Sequence, residues 1–260
     1  MDRTRWTLLL ALAFACGDKE PEGETGDADA DADADTDADT DTDTDTVEPI
    51  APSGDRALLY YGNGGFEPDG ANKGLFEDVD ARWKDQFGWN TDHRNSWSGD
   101  LEAFRMIGIV GSTEPFDATQ IADLQAASAR GTRIVYFADR ASCGDPDVAQ
   151  LLSDLGSTMG LTGSSADQNQ IVQTDAYTSG HPITAALTQT LRFKEPCFVD
   201  PTGGSAIVRD NNSSVLVGVQ RLDTGGDVVV VGDFQFMDDG GYLDHEDNGL
   251  LADGLVLVEL

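Results

Sequence analysis

The sequence predicts an α/β domain built on a doubly wound, mainly parallel sheet with an antiparallel extension, and three observations predict it. Short, continuous apolar or β-branched runs occur at residues 57–61 (ALLYY), 106–110 (MIGIV), 132–138 (TRIVYFA), 215–219 (VLVGV) and 228–231 (VVVV). Continuous rather than alternating runs are what strands covered on both faces require. Helical patterns separate the earlier runs at the spacing of βαβ units. From Leu191 onward the runs follow one another without intervening helices, which predicts the antiparallel extension.

The first helical pattern covers residues 75–87. Asp117 has the place and chemistry of an N-cap for a helix over 118–129, with Ile121, Leu124 and Ala127 on one face and Gly131 closing it. A third helix is predicted over 145–159 from Val148, Leu151, Leu152 and Leu155. A last one is predicted over 246–258, with Asp247 as its N-cap. The aromatic and polar stretch 89–97, which holds His93, reads as an exposed loop.

Ahead of this domain the chain has the zones of an export signal. Arg3 and Arg5 precede an apolar stretch over 6–14, and Ala13-Phe14-Ala15 leads into Cys16. An apolar stretch of this length is far short of the roughly 20 residues that span a bilayer. A cysteine directly after the small residue resembles the lipobox of bacterial lipoproteins, which implies a diacylated Cys16 at the mature N-terminus. Two acyl chains suffice for stable anchoring. The expected organisation is a signal peptide over 1–15, an acidic stalk over 16–52 and a domain over 53–260. The stalk carries Asp-Ala and Asp-Thr dipeptides from Asp27 to Thr46 and almost no large apolar residue, so it cannot bury enough surface to offset its ordering entropy. The expected location is the cell envelope, at the outer membrane or cell surface, with the lipid as the membrane contact.

Asp and Glu number 48 against 16 Lys and Arg, a net charge of −32. Such a balance excludes a nucleic-acid partner, whose phosphates need a basic footprint, and direct adsorption to anionic headgroups. An envelope protein or a glycan remains as the class of partner. With Cys16 assigned to lipid, Cys143 and Cys197 are left, and an even pair in an oxidising compartment reads as a disulfide, with a buried free thiol as the other reading.

Several segments carry a family resemblance: LLYYGNGG (58–65), MIGIVGS (106–112), TRIVYFAD (132–139), HPIT (181–184), GGDVVVVGDFQF (225–236) and DNGLL (247–251). In this order they resemble the class I glutamine amidotransferase-like superfamily, in the branches seen in gliding-motility, intraflagellar-transport and trehalose-utilisation-like proteins. The resemblance covers nearly all of 56–260 and implies a flavodoxin-like or amidotransferase-like sheet. A working amidotransferase of that superfamily needs a cysteine on a tight strand-to-helix elbow and a His-x-Glu pair after a late strand. Here the elbow position falls near Ala138 or Asp139, several residues before Cys143, and Gly232-Asp233-Phe234 stands where the His-x-Glu would be.

The leading expectation is therefore a non-catalytic binding or scaffold domain. Ligands of open α/β sheets bind beyond the C-terminal ends of the strands. That rule singles out Asn63, Gly64, Ser112, Asp139, Arg140, Asp233 and Gln235, with Asp139 and Arg140 as the opposed charges. A rival reading is an envelope hydrolase using Cys143 or Asp233 with His181, which requires His181 within hydrogen-bond reach of one of them. His181 reads either as a proton carrier or as the loop residue before a short helix begun by Pro182. A third reading is a Ca²⁺-dependent adhesion domain, with Asp238, Asp239, Asp244 and Asp247 as hard oxygen ligands crowded into one loop. No other cofactor is expected.

Overall fold

The computed structural model describes residues 56–65, 76–164, 170–238 and 242–257. The expectations placed on Cys16, the signal, the acidic stalk and Asp239 lie outside the described residues.

Residues Arg56–Tyr60 form β1, Glu77–Phe87 α1, Asn90–Arg94 β2, Met106–Val110 β3, Ala118–Ala129 α2 and Arg133–Phe137 β4. Pro146–Asp154 form α3, Gly160–Ser164 β5, Ile171–Thr174 β6, Leu191–Lys194 β7 and Cys197–Asp200 β8. Ser205–Arg209 form β9, Val215–Arg221 β10, Asp227–Val231 β11 and Asn248–Leu257 α4. Seven strands make one sheet in the order β2-β1-β3-β4-β11-β10-β9. The pairs from β2 through β11 are parallel, and β10 and β9 extend the sheet antiparallel. Two small antiparallel pairs, β5-β8 and β6-β7, lie outside it. The expected fold class is the observed one.

The apolar runs work as doubly covered strands must. Leu59, Val135, Phe137, Val229 and Val231 face one side, where Val79 and Trp83 of α1 and Leu251 and Leu255 of α4 cover them. Leu58, Ile134, Tyr136, Val228 and Val230 face the other, under Leu124 and Ala127 of α2 and Val148, Leu151 and Leu152 of α3. Successive side chains of a strand point to opposite faces, so each buried run feeds both cores.

The helices start where the sequence places them. Asp117 accepts the N–H groups of Thr119 and Gln120, and Gln120 returns the bond in a capping box. Asp145 caps α3 through the N–H groups of Asp147 and Val148, with Pro146 at the first helical position. That helix stops at Asp154, five residues short of the expected end, because Gly156 takes a left-handed conformation (φ 85°).

Two expectations need correction. The stretch 89–97 contains an edge strand, β2, where an exposed loop was expected. It lacks an apolar run because an edge strand in this place buries little; parallel pairing with β1 and polar ties hold it instead. Arg56 bonds Asp92 at 2.5 Å, and His93 bridges the Tyr61 hydroxyl (2.8 Å) and Asp80 (2.7 Å). Asp247 does not cap α4 with its side chain. Its carboxylate accepts the N–H groups of Thr188 and Gln189, and only its backbone carbonyl bonds into the helix, from Leu251 N at 2.9 Å.

Candidate functional site

The C-terminal ends of β1, β3, β4 and β11 converge along one crest of the sheet, and the polar residues expected there divide into two groups. On the β1–β3 side, Asn63 is turned into the protein by a positive φ of 54°. Its side-chain oxygen accepts the Tyr60 hydroxyl (2.6 Å) and Gln120 Nε2 (3.0 Å), and its Nδ2 donates to the Pro115 carbonyl at 2.6 Å. Its own carbonyl takes the N–H groups of Thr113 and Glu114, which staples the glycine loop to the loop after β3. Gly64 sits inside that staple, also with positive φ (69°). Ser112 is buried and donates to the Gly62 carbonyl at 2.7 Å. The buried Tyr136 hydroxyl bonds the Ser112 carbonyl (2.6 Å) and Ser142 Oγ (3.0 Å), and Ser142 Oγ accepts Asp139 N–H. Burial pushes the Tyr136 hydroxyl far above its usual range, so it stays a neutral donor. The result is a hydrogen-bonded seam running from the β4 loop to the β1 loop.

On the β4–β11 side lie Asp139, Arg140, Asp233 and Gln235, beside Cys143 and Cys197. Those two cysteines are joined by a disulfide with 5.2 Å between Cα atoms, linking the loop after β4 to β8. Asp233 is 3 % exposed. Its carboxylate accepts Lys194 N–H at 2.6 Å and Gln235 N–H at 2.9 Å. Burial, the largest cause, raises its pKa to about 7; the two backbone donors pull down, and nearby Asp139 adds to the rise. Gly232, just before it, lies so close to the Cys197 backbone that a Cβ would collide with the Cys197 carbonyl. The Gly232-Asp233 pair therefore pins the β7–β8 connection against the end of β11. Arg140 pairs with Glu195 at 3.4 Å, not with Asp139.

His181 is not part of this crest. It sits with Arg221 and with Asp227, the first residue of β11, around a cleft of about 530 Å³. Four residue steps of extended chain separate Asp227 from Val231 at the far end of β11, on the order of 13 Å, and Asp233 lies two residues beyond that. The hydrolase grouping of Cys143, His181 and Asp233 thus fails on two counts: Cys143 offers no thiol, and His181 lies at the other end of the strand. His181 Nδ1 accepts Ile183 N–H at 3.3 Å at the start of a 3-10 turn over Pro182–Thr184, and Thr184 Oγ1 donates to the Thr178 carbonyl at 2.6 Å.

That turn explains why HPIT and DNGLL occur together. Gly254 of α4 rests on the Ile183 carbonyl with no room for a Cβ, and Asn248 reaches across to the backbone of Arg192. Both segments are parts of one packing unit. Of the acidic residues expected as calcium ligands, Asp247 is spent on the 188–189 turn, and Asp244 lies near the Arg82 guanidinium, whose pKa is raised chiefly by its bond to Asp253 and further by Asp244. Among the described residues no group of three or more His, Cys, Asp or Glu is disposed to hold a metal ion.

With this geometry in view, solved structures resemble the chain throughout the domain. The N-terminal domain of mmIFT52 matches with a TM-score of 0.62 at 14% identity, covering 79% of this chain and 99% of that one. A ThuA-like protein from Bacteroides uniformis matches with a TM-score of 0.54 at 14% identity, covering 80% and 92%. Cytoplasmic protein STM1381 from Salmonella typhimurium matches at 0.54 and 11% identity, covering 79% and 100%. The likeness is one of fold. No protein-family model matches the sequence, and no curated protein is detectably similar to it.

Residues that matter at the crest and carried no sequence signal are Tyr136, Ser142 and Glu195. Tyr136 is hidden in an apolar run, and Glu195 acts from a turn with positive φ (54°) between two short strands. The Arg221–Asp227 pair was readable in principle, since both flank the LDTGG turn and a hairpin places them opposite each other.

Proposed function

We propose that the chain is an exported lipoprotein, anchored through Cys16, whose stalk displays a non-catalytic amidotransferase-like binding or scaffold domain to an envelope protein or glycan. One observation carries the non-catalytic part: the groups that could do chemistry at the strand ends are committed to holding loops together. Cys143 is in a disulfide, Ser112 and Asn63 close the β1–β3 seam, and Asp233 is buried under two backbone donors. A nucleophile or general base must instead reach a reacting atom with a lone pair to spare. The anchor rests on the resemblance of 1–16 to a lipoprotein signal, and the display on the composition of the stalk.

Two measurements test this reading. Cells expressing the full chain are fed an alkyne fatty acid; label should enter the wild type and be lost from Cys16→Ala, and an unlabelled wild type would refute the anchor. The domain is assayed against chromogenic esters, amides and glycosides alongside Asp139→Asn/Arg140→Gln. Turnover that this double variant abolishes would overturn the non-catalytic assignment; wild-type and variant proteins equal to the buffer blank support it.

A further inference from the structure

The hairpin between β9 and β10 carries two polar groups that the fold leaves unused. Arg209 ends β9, Val215 begins β10, and residues 210–214 join them. Asp210 makes the turn. Its carbonyl accepts Ser213 N–H at 3.0 Å and its N–H donates to the Ser214 carbonyl at 2.8 Å. Its carboxylate accepts the N–H groups of Asn212 (2.9 Å) and Ser214 (2.7 Å), the turn that an aspartate side chain forms with the backbone ahead of it. Asn212 is exposed at the tip of the loop. Among the described residues neither its side-chain amide nor the Ser214 hydroxyl has a hydrogen-bond partner, so the turn needs neither.

Asn212-Ser213-Ser214 has the Asn-x-Ser order of an N-glycosylation acceptor, with no proline between. In the whole sequence Asn211 and Asn212 are the only asparagines with Ser or Thr two positions on. The two are not equivalent. Asn211 donates through Nδ2 to the Gln173 carbonyl at 3.4 Å, whereas Asn212 keeps both amide hydrogens to spare. Asn212 also has an acid two positions before it, Asp210, which is the further feature that bacterial oligosaccharyltransferases read. Asn211 has Arg209 in that place.

We propose that Asn212 is the acceptor for an N-linked oligosaccharide, transferred from a polyprenyl-diphosphate carrier as the chain enters the envelope. The Asn212 amide nitrogen forms a bond to the anomeric carbon of the first sugar and gives up one proton. The bond from that carbon to the diphosphate oxygen breaks, and the polyprenyl diphosphate leaves with the electron pair. In the folded hairpin Asp210 is buried and tied to its own loop, so the enzyme reads it before the hairpin closes. Folding then leaves the sugar on an exposed loop whose hydrogen bonds do not involve the Asn212 side chain, so the hairpin closes with the glycan in place. Such carriers present their sugar beyond the cell membrane, so the inference rests on the export reading proposed above. It is independent of the lipid on Cys16 and of the crest residues.

The test purifies the full chain from the envelope fraction of its native host and determines the mass and fragmentation of the tryptic peptide 210–221. The peptide should carry the added mass of whole sugar units, placed on Asn212. Asn212→Gln and Ser214→Ala should each lose that mass completely, and Asn211→Gln should keep it. A peptide of unmodified mass from envelope-borne chain would overturn the proposal and leave the export reading standing. Chain found only in the cytoplasm, with the peptide unmodified, would overturn both. Sugar on Asn211, or sugar that survives Asn212→Gln, would overturn the choice of acceptor.

Discussion

Asn248 pairs with Arg192 as a neighbouring strand would: its Oδ1 accepts the Arg192 N–H at 2.8 Å and its Nδ2 donates to the Arg192 carbonyl at 2.8 Å. The same NH₂ reaches the Phe236 carbonyl at 3.2 Å, and the side chain is wholly buried. One amide at the start of α4 thereby satisfies the edge of β7 and the turn after β11. Asn248→Ala removes this partner from one backbone donor, the Arg192 N–H, and two acceptors, the Arg192 and Phe236 carbonyls, and a buried group left unpaired costs roughly 1–3 kcal/mol. Denaturant unfolding should show a loss of about 2–4 kcal/mol. A loss below half a kcal/mol would mean that water replaces the amide.

Gly254→Ala separates packing from helix propensity. Alanine is favoured over glycine inside a helix by about 1 kcal/mol, so propensity alone predicts a stabler protein. Here a Cβ would collide with the Ile183 carbonyl, a backbone atom that cannot swing away. The variant should melt below the wild type. Gly180→Ala, in a turn where a Cβ meets nothing within 4 Å, controls for the added methyl group alone and should melt near the wild type. If Gly254→Ala melts above the wild type, the close packing of α4 on the 182–184 turn is wrong.

The sheet was readable because β1, β3, β4, β10 and β11 are buried on both faces, and double burial writes itself as an unbroken apolar run. β2 was unreadable for the complementary reason: NTDHR is held by pairing and ion pairs at an edge, and neither leaves a periodic trace. The N-caps of α2 and α3 were visible because capping is local. Asp247 misled for the same local reason, since its partners at 188 and 189 lie some sixty residues away in sequence. The strand-end positions followed from topology, but the sequence could not say that Asn63 and Ser112 are spent on loop carbonyls and loop amides. Nor could it separate His181 from Asp233, because only the direction of β11 puts them at opposite ends.

The Cys143–Cys197 disulfide closes a loop of 54 residues that contains α3, β5, β6 and β7. Restricting the unfolded chain over such a loop contributes about 4 kcal/mol in the chain-entropy account. Cys143→Ser/Cys197→Ser should therefore lower the denaturant midpoint with little change in fold by circular dichroism. Thiol alkylation of the unreduced, denatured wild-type domain should label neither residue. Labelling of both would show the pair to be open, and an unchanged midpoint in the double variant would remove its structural role.

Asp233 should make the domain less stable as pH rises from about 4 to about 7. Its folded pKa stands near 7 because burial disfavours the carboxylate, whereas the unfolded chain releases that proton near the ordinary value of about 4. Between those values the folded state holds more protons than the unfolded state, so the slope of stability against pH is negative for this group. Its contribution is fully present below the unfolded pKa and lost as pH passes the folded one. Asp233→Asn removes the titration and also loses one acceptor for the N–H groups of Lys194 and Gln235, so it should be the weaker protein at pH 5. At pH 8, where the wild type carries a buried charge, the difference should shrink or reverse. Thermal melts of both proteins across this range check the sign: a gap that widens with pH would show that the carboxylate is held in its charged form, with Lys194 and Gln235 outweighing burial.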